Sequence, residues 1–190
     1  EAQFGDFFNS AQLNFDTFIS CSHEKWQRPT AMTVILPHGY DGAGPEHSSS
    51  RMERFLQMSS EGILTNDATT IPNWRIIYPT TPANIFHALR RQMISDFRIP
   101  LIVIGPKAML RHPLAVSSLS ELSGESKFQT VIEEANPRTA KTVMWCTGKT
   151  YYDLVAEREN RGLTADTHPI VRLEQLVPFP HSKIREVAAS

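Results

Sequence analysis

Residues 36–58 read LPHGYDGAGPEHSSSRMERFLQM. An apolar run stops at Pro37. Three glycines and two histidines follow, and apolar residues then resume at Met52, Phe55 and Leu56 with helical spacing. The preceding TAMTVILP has the length and composition of a buried strand. Strand, glycine loop and helix in that order make one β–α unit, with Pro45 suited to a first helical turn. This reading puts His47 in that first turn, where the helix dipole disfavours the protonated ring and favours anions nearby. In open α/β sheets, ligands collect beyond the carboxyl ends of strands, and this loop leaves such an end. Gly39, Gly42 and Gly44 let the backbone come close to a ligand there.

The same alternation runs along the chain. NWRIIYP reads as a strand, followed by the helix TTPANIFHALRRQMI, with Thr80 or Thr81 as cap and Pro82 at its first position. IPLIVIGP is a third strand. KTVMWCTG and KTYYDLVAEREN form strand, turn and helix, and HPIVRLEQL and PHSKIREVAA close the series as strand and helix. DFFNSAQLNFDTFIS, residues 6–20, has the spacing of one amphipathic helix. The expected fold is α/β with parallel, doubly wound sheets. Three segments are expected: 1–116, a serine-rich linker 117–140, and 141–190.

Composition narrows the function. Of the 190 residues, 41% are apolar and 21% charged, enough to bury a core. The formal charge is −1 and the basic residues are dispersed, so neither nucleic acid nor membrane is an expected partner. No apolar stretch is long enough to span a membrane. Cys21 and Cys146 stand far apart, which points to free thiols in a reducing compartment. The chain opens EAQFGDFF, without an initiator Met, which suggests a processed product or a piece of a longer chain.

The local motifs exclude several chemistries. PEHSS is not H-E-x-x-H, and no His, Cys and carboxylate cluster recurs at ligand spacing, so no metal site is expected. The G-K-T of CTGKTYYD lacks the first glycine of a phosphate-binding loop, which leaves Gly148 as a turn residue. LPHG is similar to an oxyanion-hole turn, but no G-x-S-x-G elbow accompanies it. Arg90, Arg91, Arg111 and His112 are expected at a solvated surface, with anion binding as the sharper alternative. Phe4, Phe7 and Phe8 fit either core packing or a platform for a flat ring.

Several stretches taken together carry a resemblance: EAQFGDFFNSAQ, the 36–58 loop, PTTPANIFHALRRQM, PLIVIGPKAMLRHPLAVS, GKTYYDL and VRLEQLVPFP. In this order they resemble the E1 components of 2-oxoglutarate dehydrogenase complexes, a transketolase-like family that uses thiamine diphosphate. The E1 of 2-oxoadipate dehydrogenase carries a very similar loop and is the alternative. The resemblance implies the later portion of a transketolase-like pyrimidine-binding domain, followed by the start of a transketolase C-terminal-like domain. It implies oxidative decarboxylation of 2-oxoglutarate in the tricarboxylic acid cycle, with transfer of the succinyl group to the lipoyl domain of the E2 dihydrolipoyl succinyltransferase. His47 matches the family's active-site histidine, and His38 is a second candidate for substrate contact. Phe4 and Phe7 match aromatic residues packed on the aminopyrimidine of the cofactor. These residues include neither the G-D-G…N segment that holds the diphosphate and Mg2+ nor the glutamate that activates the aminopyrimidine. The magnesium ligands are therefore expected outside them, and the 190 residues alone are expected to be inactive, or a non-catalytic fragment. The family also implies a homodimer, located in the mitochondrial matrix in a eukaryote and in the cytoplasm in a bacterium.

Overall fold

Leu101, Val103 and Ile77 face one side of a four-stranded sheet, and Ile102, Ile104 and Ile76 face the other. Both sets are buried, so helices must cover both faces. The computed structural model describes residues 1–40, 44–61, 71–134, 140 and 142–189. Gly42, the turn-prone stretch 135–139 and Lys141 lie outside the described residues.

The sheet contains β1 (Thr33–Pro37), β2 (Arg75–Ile77), β3 (Leu101–Gly105) and β7 (Gln175–Val177), in the order β1-β3-β2-β7. The first three strands are parallel, as read from the sequence, and β7 adds an antiparallel edge against β2. One face is covered by α4 (Pro82–Ile94) through Ala88 and Ile85. The Thr81 hydroxyl caps α4 by accepting the Asn84 N–H at 3.2 Å, with Pro82 at the first position, as expected. The other face is covered by an N-terminal arm and by α3 (Met52–Gln57), which bring Phe8, Phe15 and Phe55 onto Leu36, Trp74 and Ile104. Burying each such side chain contributes about 1.5–3 kcal/mol.

The arm differs from the single amphipathic helix expected. It runs as a 3-10 turn over Gly5–Ala11, α1 (Gln12–Asn14), a π-helical turn over Phe15–Ile19 and α2 (Ser22–Trp26). Phe8 and Phe15 both contact Phe55, with ring centroids 5.0 and 5.7 Å away.

A second sheet has the order β4-β6-β5, formed by β4 (Val131–Glu133), β6 (Ile170–Leu173) and β5 (Met144–Cys146). β5 runs parallel to β6, and β4 runs antiparallel to it. α5 (Thr150–Asn160) follows β5, and α6 (His181–Ala188) packs Val187 and Ile184 against this sheet. β4 lies within the stretch read as a linker, so that stretch carries a strand of its own. The G-K-T residues form the turn into α5, where Lys149 pairs with Asp153 at 2.7 Å.

HPIVRLEQL, read as one strand, divides at Glu174 into β6 and β7, which belong to different sheets. Glu174 is fully buried. Its carboxylate accepts from the Thr80 N–H (2.8 Å), the Thr80 hydroxyl (2.5 Å) and the Asn84 amide (2.8 Å). A buried carboxylate needs such donors, and these stand at the end of the first sheet. The strand therefore bends there to deliver Glu174 to them, tying the two sheets together.

Candidate functional site

The site forms where β1 and β3 end side by side. The His38 N–H donates to the Gly105 carbonyl at 3.1 Å, extending the parallel ladder by one residue. The chain then turns sharply at Gly39, whose φ of +134° is a conformation side chains resist. The Gly39 N–H donates to the Ser48 carbonyl at 2.8 Å and closes the base of the loop.

His47 is not in the first turn of an α-helix, contrary to the sequence reading. Pro45–His47 is an isolated 3-10 turn, and α3 begins only at Met52, after Arg51 in the left-handed region. The backbone groups between them are engaged elsewhere: the Ser48 carbonyl with Gly39 and the Ser50 N–H with His38. The helix dipole therefore does not act on His47. Its local partner is Glu46, whose Oε1 lies 3.3 Å from His47 Nδ1. A carboxylate there favours a proton on Nδ1 and leaves Nε2 as the basic nitrogen.

Phe4, Phe7 and His47 come together. The Phe4 and His47 ring centroids are 4.4 Å apart, Phe7 lies 5.2 Å from His47, and Phe4 and Phe7 meet edge to face at 5.3 Å. Phe8, the third aromatic of that segment, instead enters the core. Gly5 sets this arrangement. A Cβ on Gly5 would stand 2.1 Å from the Pro37 carbonyl oxygen and 2.8 Å from Ser50 Cα, so only glycine lets the arm lie this close to the end of β1.

The Phe4 and His47 rings form one wall of an open cleft of about 620 Å³, with Phe7 packed against both, and Pro37, Gly39, Lys107 and Arg111 also line it. Lys107 opens the turn after β3 and holds its Nζ 4.9 Å from the centre of the Phe4 ring, a cation–π contact. Among the described residues the lining contains Lys107, Arg111 and His47 and no carboxylate, so the cleft is suited to an anion. Its aromatic wall suits a flat ring.

His38 does not line this cleft. Its Nδ1 accepts from the Ser50 N–H at 3.1 Å and lies 3.1 Å from the Ser50 hydroxyl, and its ring meets Tyr78 edge-on at 6.3 Å. Burial pushes its pKa below the ordinary imidazole value, against the opposing pull of Glu53.

The arginines divide. Arg111 is exposed in the cleft, and Arg90 is exposed and donates to the Ser126 carbonyl. Arg91 is not on a solvated surface as expected. It lies over the Phe128 ring at 4.1 Å and donates to Gln175 at 2.8 Å. Burial, with the nearby charge of Arg75, lowers its pKa to about 10. His112 packs its ring on Tyr152, 4.3 Å between centroids. Sequence reasoning did not single out Lys107, although the strand-end argument that picks out the His47 loop applies equally to the residue that follows LIVIGP. Among the described residues, no group of three His, Cys, Asp or Glu side chains could hold a metal ion, and no helix is long and apolar enough to cross a membrane.

Comparison with known proteins places the chain. The family described as "Transketolase, pyrimidine binding domain" matches residues 1–113, and "2-oxoglutarate dehydrogenase C-terminal" matches residues 116–190. The 2-oxoadipate dehydrogenase complex component E1 of Mus musculus is 50% identical over 98% of this chain and 20% of its own length. The 2-oxoglutarate dehydrogenase E1 component of Cupriavidus necator is 50% identical over 97% of this chain and 18% of its own length. A protein of Caenorhabditis elegans named 2-oxoglutarate dehydrogenase, mitochondrial, is 46% identical over 98% of this chain and 20% of its own length. The chain thus spans about a fifth of the length of the curated relatives it matches. With both halves matched in order and the pyrimidine-binding model covering more than half of the residues, the chain belongs to the transketolase-like family of 2-oxoglutarate dehydrogenase-type E1 proteins.

Proposed function

We propose that this chain forms the pyrimidine-facing half of the active site of a 2-oxoglutarate dehydrogenase E1 enzyme, which decarboxylates 2-oxoglutarate and passes the succinyl group to the lipoyl domain of an E2 partner. The observation that carries this reading is the cluster of Phe4, Phe7 and His47 beside a cleft lined by Lys107 and Arg111 at the ends of β1 and β3.

Thiamine diphosphate fits that cleft by the chemistry of its lining, and when bound it supplies the electron sink that 2-oxoacid decarboxylation needs. Phe4 and Phe7 would hold the aminopyrimidine ring by stacking and edge contacts. Lys107 and Arg111 draw the dianionic substrate inward and offset its charge. His47 binds a substrate carboxylate, or moves a proton through Nε2, with Glu46 holding the proton on Nδ1. His38, the second histidine candidate, is considered separately below. The diphosphate and its Mg2+ are assigned to chain beyond these residues, and the 190 residues alone are expected not to turn over substrate. The active unit is a homodimer, in the mitochondrial matrix if the source is eukaryotic and in the cytoplasm if it is bacterial; the worm relative is named as mitochondrial.

The mouse and bacterial relatives, named for 2-oxoadipate and 2-oxoglutarate, are equally identical to this chain, so the longer dicarboxylate is the second reading. Ferricyanide-coupled turnover by the full-length parent protein, with thiamine diphosphate and Mg2+, tests both. The proposal expects turnover of 2-oxoglutarate at a higher kcat/KM than 2-oxoadipate, and a loss of about 10²–10⁴-fold in His47→Ala. Full activity in that variant would falsify the role given to His47.

A further inference from the structure

We infer that His38 is a positioning residue, which as a neutral imidazole clamps Ser50 and thereby holds both the His47 loop and the Phe4 arm in place. This rests on the functional reading above, which makes His47 and Phe4 the residues worth positioning. The geometry runs through one buried residue. Ser50 is fully buried, and its N–H can only donate, so His38 Nδ1 must accept and Nε2 carries the ring proton. Two residues before Ser50, the Ser48 carbonyl takes the Gly39 N–H, so His38–Gly39 and Ser48–Ser50 close the loop at its base. The arm leans on the same point, since Gly5 packs against Ser50 Cα and the Pro37 carbonyl. Releasing Ser50 therefore loosens both walls of the cleft at once.

Protonation defeats the clamp. A proton on Nδ1 would face the Ser50 N–H, donor against donor, leaving a buried amide without a partner. The groups facing the ring are Glu53, whose charge favours protonation, and Tyr78, whose ring meets it edge-on. Burial opposes protonation more strongly than Glu53 favours it. The clamp accordingly holds at neutral pH and opens in acid.

The experiment compares His38→Leu with His38→Asn in the full-length protein. The Asn side-chain oxygen is two bonds from Cβ, as Nδ1 is, so it can accept from Ser50, but it neither titrates nor reaches as far as Nε2. Two readouts are taken: hydrogen exchange of the peptide containing Ser50, which does not depend on turnover, and kcat/KM with 2-oxoglutarate across pH. The expected result is faster exchange and at least about a tenfold loss of kcat/KM in His38→Leu, since small misplacements of reacting groups are costly. His38→Asn should restore slow exchange and recover activity to within about threefold at neutral pH, with an acid-side decline shallower than that of wild type. The inference is overturned if His38→Asn protects Ser50 yet is as inactive as His38→Leu, for then Nε2 itself takes part in the chemistry. Unchanged exchange in His38→Leu overturns it as well. A wild-type protein that decarboxylates no 2-oxoacid would refute the proposed function alone, because the exchange readout still reports on the clamp.

Discussion

Phe4 lies 4.4 Å from His47, ring centre to ring centre, and the residue that allows this approach is Gly5, seated against the Pro37 carbonyl and Ser50. The arm is held to the sheet at the same place by the Ala2 N–H, which donates to the Ile35 carbonyl at 3.0 Å. The aromatic wall thus depends on backbone packing more than on the rings themselves.

Gly5→Ala tests that dependence. A methyl group 2.1 Å from a carbonyl oxygen cannot be accommodated, so the arm must move away from β1. Overpacking of this kind costs about 1–3 kcal/mol. The expected outcome is a lower urea midpoint, together with weaker thiamine diphosphate binding in the full-length protein, by titration calorimetry. A variant that binds the cofactor normally would separate Gly5 from the placement of Phe4 and Phe7.

How much of this was legible in the sequence depended on the range of the forces involved. TVILP and LIVIG read as strands because both faces of the sheet are buried, which removes polar residues from the run. The start of α4 was legible because Thr81 and Pro82 act locally. Glu174 was not, because the donors that bury it, Thr80 and Asn84, are remote in sequence, and an acid in an apolar run reads as a solvent-facing position. The helix expected at His47 failed for a similar reason. Ser48 and Ser50 bond back to Gly39 and His38 across the loop, and periodicity is blind to such partners. At the site, the family resemblance singled out His47, Phe4 and Phe7, while Lys107 emerged only when β3 was seen to end beside β1.

Lys107→Met should raise the KM for 2-oxoglutarate about tenfold, roughly 1.4 kcal/mol, which is the scale of one lost charge–charge contact. Methionine preserves the packing of the stem against Phe4, so kcat should change less than KM. Raised ionic strength should weaken substrate capture in wild type more than in the variant. Steady-state kinetics at two salt concentrations measure both effects. An unchanged KM would remove Lys107 from substrate attraction.

The second sheet offers a prediction tied to pH. Arg158 grips Glu134 through two bonds of 2.5 and 3.1 Å, with side chains only 9% and 12% exposed. Burial alone would raise the Glu134 pKa, but the Arg158 guanidinium and the Ile170 N–H, at 2.8 Å, together hold it below the usual carboxylate value. A carboxylate whose pKa is lowered by folding contributes stability above its unfolded pKa and loses it as pH falls through the folded value. Arg158→Met leaves Glu134 buried and unpaired, at a cost of about 3–5 kcal/mol near neutrality. In acid, Glu134 becomes protonated in the variant first, because the Arg158 guanidinium that lowers its pKa is gone and only the Ile170 N–H and the Tyr151 hydroxyl remain to oppose burial. The stability gap between wild type and variant should therefore narrow as pH falls from about 7 towards about 4. Urea unfolding across that range measures the gap, and a gap independent of pH would place the cost of the substitution elsewhere, in the lost bond from Arg158 to the His168 carbonyl.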